Sequence, residues 1–159
     1  MFKQIKNKAT TIDVWKTVTL TGRETPQNVR LPVGPLLVPL SVWQARRAEL
    51  IHREYEHGWA LGVWLANTEE AYAIESDIDD FTVIAVAFDK PASSYSTARL
   101  LRERFGFQGE LRASGNIPDD QATYLYQAGY DAIDGNKTEA IATNWFNFNL
   151  TRQSGLRLA

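Results

Sequence analysis

The run from Phe81 to Phe88 limits the folds open to this chain more than any other feature. Every residue in it except Thr82 is apolar, and several are β-branched. A strand with one face in water alternates apolar and polar residues, so this run predicts a strand that is covered on both faces. Such strands are typical of parallel sheets flanked by helices, and the run therefore favours an α/β fold.

Strand–helix units of the same kind repeat along the chain. Each unit is a short apolar run followed by a helical pattern that opens at a polar or proline residue, as at Ser41, Asn67 or Pro118. The other predicted strands are 36–40, 61–65, 110–114 and 130–134, and the predicted helices are 41–55, one from 67, 95–105, 118–129 and a last one from 136. Right-handed crossovers then give a parallel sheet, which we predict to be open and doubly wound. The alternative is a partial β/α barrel completed by dimerisation.

The domain organisation follows from where these units begin and end. Residues 1–35 are predicted to be an N-terminal arm, in which 13–21 form a short strand or half of a hairpin and two proline-containing stretches break any regular element. Residues 36–150 are predicted to form the α/β domain, and 151–159 a C-terminal tail.

Composition excludes several classes of function. The chain has no cysteine, so it has neither disulfides nor a thiol nucleophile, and it cannot hold an iron–sulfur cluster by its own thiolates. A formal net charge of -2 gives no overall basic field for nucleic acid. The N-terminus lacks the apolar stretch of a signal peptide, and no window is apolar enough for a membrane span, which predicts a cytoplasmic protein.

In parallel α/β folds, ligands bind where the strands end and the next helix begins. After the strand 81–88 come Asp89, the hydroxyls of Ser94, Tyr95 and Ser96, and then two arginines, Arg99 and Arg102. Free amides, hydroxyls and guanidinium groups predict a site for a small oxyanion or phosphate. The alternative is a serine cap on a surface helix, with Arg99 paired to the glutamate four residues later.

A second candidate loop follows the strand 110–114. Ser114, Gly115 and Asn116 stand there, and Asp120 lies in the first turn of the next helix. Glycine lets the backbone approach a ligand closely, although turn chemistry alone explains this loop equally well. Arg112 shares a strand face with a glutamate, so it is expected either to pair with that residue at a sheet edge or to point into the site.

Other kinds of site have no support. The histidines, His52 and His57, are not spaced to share a helix face, so neither a metal pair nor a triad base is predicted. There is no glycine-rich dinucleotide motif and no P-loop. No metal and no cofactor are therefore expected.

The segment from Tyr95 to Gly115, together with Asp120-Gln121 and the run 129–132, resembles a bacterial domain-of-unknown-function family, number 934. Genes of that family commonly lie beside those for sulfite reductase and phosphoadenylyl-sulfate reductase, and some members carry the label oxidoreductase. The resemblance implies a role in assimilatory sulfate reduction, with sulfite reductase or another protein of that pathway as partner. It also adds Gln121 to the candidate ligand-binding residues.

Three departures from the family pattern concern charge. Residues 91–94 replace an Asp-Gly-Arg-Gly sequence, Asn116 replaces an aspartate and Gln127 replaces an arginine.

Two readings of function remain open. The first is an accessory protein that binds a partner or a small oxyanion, with aromatic surface near the C-terminus for a homodimer. The second is an enzyme acting on a small anionic metabolite, with Tyr95 or Asp89 as proton-transfer group.

Overall fold

The computed structural model describes residues 15–135, with the side chains of the last two left aside. These residues form six strands, β1 Lys16–Thr17, β2 Leu36–Pro39, β3 Leu61–Leu65, β4 Val83–Ala87, β5 Glu110–Gly115 and β6 Ala132–Gly135. Four α-helices connect them, α1 Leu40–His57, α2 Thr68–Ala73, α3 Pro91–Arg99 and α4 Ala122–Ala128. Two 3₁₀ segments, Glu75–Asp80 and Asp119–Gln121, and a π-helical turn, Leu100–Arg104, complete the elements.

The strands form one parallel sheet in the order β1-β2-β3-β4-β5-β6 and curl into a half-barrel. The predicted parallel α/β sheet of strand–helix units is therefore confirmed. A doubly wound sheet reverses its order at a switch point. The sequential order seen here is that of the partial β/α barrel.

All the described helices lie on one side of this sheet, which we call the outer face. Trp43 of α1, Ala71 of α2, Ala98 of α3 and Leu125 of α4 belong to one buried cluster. The sheet residues of that cluster alternate along each strand, as Leu61, Val63 and Leu65 do in β3. Right-handed crossovers between strands in sequential order place every helix on the same side, which explains this arrangement.

The N-terminal segment joins the sheet as an edge strand. β1 pairs with β2 in parallel, so of the two predicted forms it is a strand and not half of a hairpin. Val18 and Val29 are buried in the main core, and Arg46 of α1 donates to the carbonyl oxygen of Val29 at 2.6 Å. No helix within residues 15–135 is both long and apolar enough to cross a membrane.

Three predicted helix starts differ from the structure. Pro118, predicted at the first helical position, is instead the N-cap of the 3₁₀ segment Asp119–Gln121, and α4 itself begins at Ala122. α1 begins at Leu40, and its N-cap position is Pro39, which has no side-chain acceptor, so Ser41 lies inside the first turn. α3 begins at Pro91, four residues before the predicted start at Tyr95, because proline at the first helical position has its φ already set and loses no hydrogen bond. The last predicted helix, from Asn136, lies outside the described residues.

Candidate functional site

The two predicted loops meet at the carboxyl ends of the strands. Ala87 and Ser114 are partners in the register of β4 and β5, and the amide of Phe88 donates to the carbonyl oxygen of Ser114 at 2.7 Å. Gly115 has φ +127°, and a Cβ there would lie 3.4 Å from the carbonyl oxygen of Phe88. Asp89 and Asn116 are exposed beside this contact. We call this edge, residues 87–91 and 114–121, the carboxyl rim.

The serines after β4 are helical, because α3 begins at Pro91. The predicted helix 95–105 left Ser94 before the helix, and that placement is wrong. Ser94 is 2% exposed, and its hydroxyl has no hydrogen-bond partner within the described part of the chain. It starts a buried stripe with Thr97, Ala98 and Leu101, which is the spacing of a helix face packed on a sheet. Ser96 lies on the opposite, exposed side.

A hydrogen bond joins α3 to the turn before α4. The hydroxyl of Tyr95 donates to Oε1 of Gln121 at 2.6 Å. Partial burial, and after it the neighbouring Tyr124 and Asp120, raise the pKa of Tyr95. Tyr95 is therefore a neutral hydrogen-bond donor near pH 7 and is poorly suited to act as a base.

The N-terminus of α2 at the same edge is capped by its own side chains. Oδ1 of Asn67 accepts from the amide of Glu70 at 3.0 Å, as its position predicts, and Oε1 of Glu70 accepts from the amide of Ala66 at 2.7 Å. Thr68 and Thr97 join α2 to α3 by a hydroxyl–hydroxyl contact of 2.7 Å. Sequence reasoning missed this contact, since no local pattern pairs hydroxyls 29 residues apart.

Arg102 lies at the other edge of the sheet, where the strands begin. Its guanidinium donates to the carbonyl oxygens of Phe107, Gly109 and Gly129 at 2.9, 2.9 and 3.0 Å, and to Oδ2 of Asp131 at 2.5 Å. With Gly109, Gly129 and Asp131 it borders a shallow cleft of about 320 Å³. The structure does not bring Arg102 together with the residues of the carboxyl rim.

Arg112 projects from β5 on the face of the sheet opposite the helices. Its Nε donates to Oε2 of Glu110 at 2.9 Å, and the whole residue is 8% exposed. The predicted pairing with the glutamate is present, but β5 lies between β4 and β6 and is not an edge strand. Arg112 is therefore an interior residue of the half-barrel.

The charges at the carboxyl rim are mixed. Asp89, Asp119 and Asp120 are exposed there, together with Lys90, and Arg99 is exposed at the C-terminal end of α3. In residues 15–135 no group of three or more histidine, aspartate or glutamate side chains is arranged to hold a metal ion. The rim thus offers carboxylates, amides and one exposed cation, Lys90, to a ligand.

Comparison with known protein families adds a classification to this geometry. A family model described as a bacterial protein of unknown function (DUF934) matches residues 62–153. This match covers more than half of the chain. The chain belongs to the DUF934 family. No curated protein matches it.

The positions at which the sequence resemblance implies departures from the family pattern do not lie together. Asn116 is at the carboxyl rim, and residues 91–94, the first turn of α3, begin there. Gln127 is exposed near the end of α4, two residues before Gly129, whose carbonyl oxygen accepts from Arg102. Two of the three implied charge differences therefore lie at or beside the rim, and the third lies near the opposite edge.

Proposed function

We propose that this DUF934 protein is an accessory protein of assimilatory sulfate and sulfite reduction, which binds a protein of that pathway at its carboxyl rim. Support for the pathway comes from the resemblance of residues 95–132 to a family whose genes commonly lie beside those for sulfite reductase. Sulfite reductase is accordingly the first partner to test.

The hydrogen bond from Tyr95 to Gln121 is the observation that favours binding over catalysis. It engages the phenol of Tyr95, one of the two groups that the enzymatic reading offers for proton transfer, and the raised pKa of Tyr95 keeps that phenol neutral. It also fixes α3 against the turn before α4. The rim is thereby held in one shape before any partner arrives, which lowers the ordering cost of binding.

The charges at the rim favour a protein partner over a lone anion. Asp89, Asp119 and Asp120 are exposed carboxylates, whereas Lys90 is the exposed cation among them. Such a surface complements a basic patch on a partner and speeds its association. Arg99 supports a second candidate, a small oxyanion such as sulfite, because its guanidinium is exposed one helical turn after Tyr95.

The alternative of an enzyme acting on a small anionic metabolite has weaker support. It needs an arginine as anion holder beside a proton-transfer group. Arg102 is at the far edge with its donors on three carbonyls and a carboxylate. Arg99 is then the arginine left to hold the anion, and the Tyr95 hydroxyl one helical turn before it is already hydrogen-bonded to Gln121.

Growth of a clean deletion strain tests the pathway. We expect no growth on sulfate or sulfite as sole sulfur source, normal growth on cysteine, and recovery when the gene is returned. Equal growth of the deletion strain on all three sources would contradict the proposal.

Complementation and co-purification then test the rim. The double variant Asp119→Lys, Asp120→Lys reverses two exposed charges at the rim. The control variant Glu103→Lys reverses an exposed charge in the π-helical turn that follows α3, away from the rim. We expect the double variant to lose both complementation and co-purification with sulfite reductase at moderate salt, and Glu103→Lys to keep both. If the two variants behave alike, the rim is not the docking surface. A melting-temperature rise with sulfite that Arg99→Ala abolishes would favour the oxyanion candidate instead.

A further inference from the structure

The surface beside the carboxyl rim carries an exposed aromatic ring. Tyr124, in the first turn of α4, is 55% exposed. Tyrosine is enriched among the residues that dominate protein interfaces, because its ring supplies a large contact area at a low cost in side-chain entropy. Beside a surface that binds a partner, such a ring is a candidate anchor for that partner.

Asp120 lies one helical turn before Tyr124. The backbone between them is helical, since Gln121 has φ −90° and ψ −12° and Ala122 has φ −56° and ψ −47°. Residues four apart on helical backbone have Cβ atoms about 5–6 Å apart, so the carboxylate and the ring are neighbours on one face. Asp120 is exposed, and no lysine, arginine or histidine of residues 15–135 forms a salt bridge with it.

Both side chains also lie near the hydroxyl of Tyr95. Burial is the largest cause of the raised pKa of Tyr95, and the next two causes are Tyr124 and Asp120. Asp120 acts because its negative charge disfavours the phenolate, and the same negative field favours a cation. The hydrogen bond from Tyr95 to Gln121 holds the segment that carries Asp120. The ring and the carboxylate are thus set in place before a partner binds.

We propose, in an inference that rests on the proposed function, that Tyr124 and Asp120 hold an arginine side chain of the partner protein. The guanidinium group lies flat against the Tyr124 ring and donates to the Asp120 carboxylate. The face of an aromatic ring attracts a cation, and a carboxylate accepts two N–H groups of one guanidinium in parallel.

Other side chains of a partner suit this position less well. An apolar side chain on Tyr124 would remove water from Asp120 without giving its carboxylate a hydrogen-bond donor, which is costly. A carboxylate would meet the negative field of Asp120. A lysine would pair with Asp120 as a point charge, but it has no flat surface to lie against the ring. Arginine satisfies both groups at once.

Blocked octa-arginine and octa-lysine peptides test the site without the partner. Each peptide is titrated into the full-length chain at one fixed salt concentration, and calorimetry gives its dissociation constant. We expect the arginine peptide to bind about two- to fivefold tighter than the lysine peptide, as one exposed cation–π contact provides. Tyr124→Ala should abolish this preference, whereas Tyr124→Phe should keep it because the ring remains.

Tyr72→Ala is the matched control, because Tyr72 is a tyrosine that is 50% exposed on α2. It should leave the preference for arginine unchanged. The proposal is overturned if the native chain shows no preference, or if Tyr124→Ala keeps the preference of the native chain.

Co-purification with sulfite reductase separates this site from the proposed function. We expect Tyr124→Ala to weaken binding about tenfold or more and Tyr72→Ala to leave it unchanged. If the double variant Asp119→Lys, Asp120→Lys loses binding while Tyr124→Ala keeps it, the rim docks the partner but the arginine site is wrong. If the native chain does not bind sulfite reductase, that partner is wrong, and the peptide titrations alone decide whether Tyr124 recognises arginine.

Discussion

Replacing Arg102 with alanine removes one side chain that serves four acceptors at the amino-terminal edge of the sheet. Three are the carbonyl oxygens of Phe107, Gly109 and Gly129, and the fourth is the carboxylate of Asp131. Hydrogen bonds to a charged group contribute about 1.5 kcal/mol each at the low end of their range, so four of them sum to about 6 kcal/mol before exposure to solvent is considered. The Arg102 side chain is 22% exposed, so in the variant water can reach some of the four acceptors and partly replace the lost hydrogen bonds. We therefore expect a loss of about 3 kcal/mol in the free energy of unfolding.

Urea unfolding followed by tryptophan fluorescence measures this loss. With a slope of about 1–3 kcal/mol per M, Arg102→Ala should lower the midpoint by about 1–3 M. Arg102→Lys should recover only part of the loss, since an ammonium group cannot reach four acceptors in the geometry of a guanidinium. Arg99→Ala, which alters an exposed arginine one turn earlier, is the matched control and should change stability by less than about 0.5 kcal/mol.

A result in which Arg102→Ala and Arg99→Ala are equally stable would refute the reasoning. It would mean that the four contacts are replaced by water at no net cost. A double-mutant cycle with Asp131→Asn adds a second check, because Asp131 also accepts from the amide of Leu111 at 3.0 Å. We expect a coupling energy of about 1–2 kcal/mol between Arg102 and Asp131.

Three further substitutions test other parts of the fold. Burial raises the pKa of Tyr130, whose hydroxyl donates to the carbonyl oxygen of Ser94 at 2.8 Å. Tyr130 therefore contributes its full stabilisation below its unfolded pKa of about 10 and loses it as the pH rises further. Tyr130→Phe should lower the free energy of unfolding by about 1 kcal/mol at neutral pH, because one buried hydrogen bond is lost. It should also reduce the loss of stability at alkaline pH, and urea unfolding at neutral and at alkaline pH measures both effects. Burial and nearby carboxylates also raise the pKa of Asp80, so the protein loses stability as the pH rises and this carboxyl group ionises. Asp80→Asn should therefore raise the melting temperature at pH of about 7 and have little effect at pH of about 3. Equal effects at the two pH values would contradict this reasoning. A Cβ at Gly62 would lie 2.8 Å from the carbonyl oxygen of Val83, so Gly62→Ala should cost about 1–3 kcal/mol in urea unfolding.

The fold was predictable wherever the signal was local. The apolar run 81–88 contains β4, and the other described strands also lie within or beside the runs that predicted them. The Asn67 cap was predictable because its acceptor and donor are three residues apart. The start of α3 was missed although Pro91 signalled it, because the serines after it were interpreted as a loop.

The candidate site was predictable only in part, because its contacts are long-range. The carboxyl rim follows from parallel topology, and β4 and β5 do bring Phe88 and Ser114 together. The position of Arg102 does not follow from its sequence neighbours, since its partner Asp131 is 29 residues away. A residue near the end of a helix that packs on a parallel sheet lies near the start of the next strand, and this geometry separates Arg102 from Asp89.

The sequential strand order has a consequence for how the protein gains and loses structure. Among the described strands, β1 to β6, each pairs only with the strands that precede and follow it in the chain. Stability should then approximate a sum of contributions from single units and from the interfaces between neighbours, as in repeat proteins. Unfolding can begin at either end of the sheet and proceed inward, and a whole strand–helix unit can be added or removed without rethreading the chain.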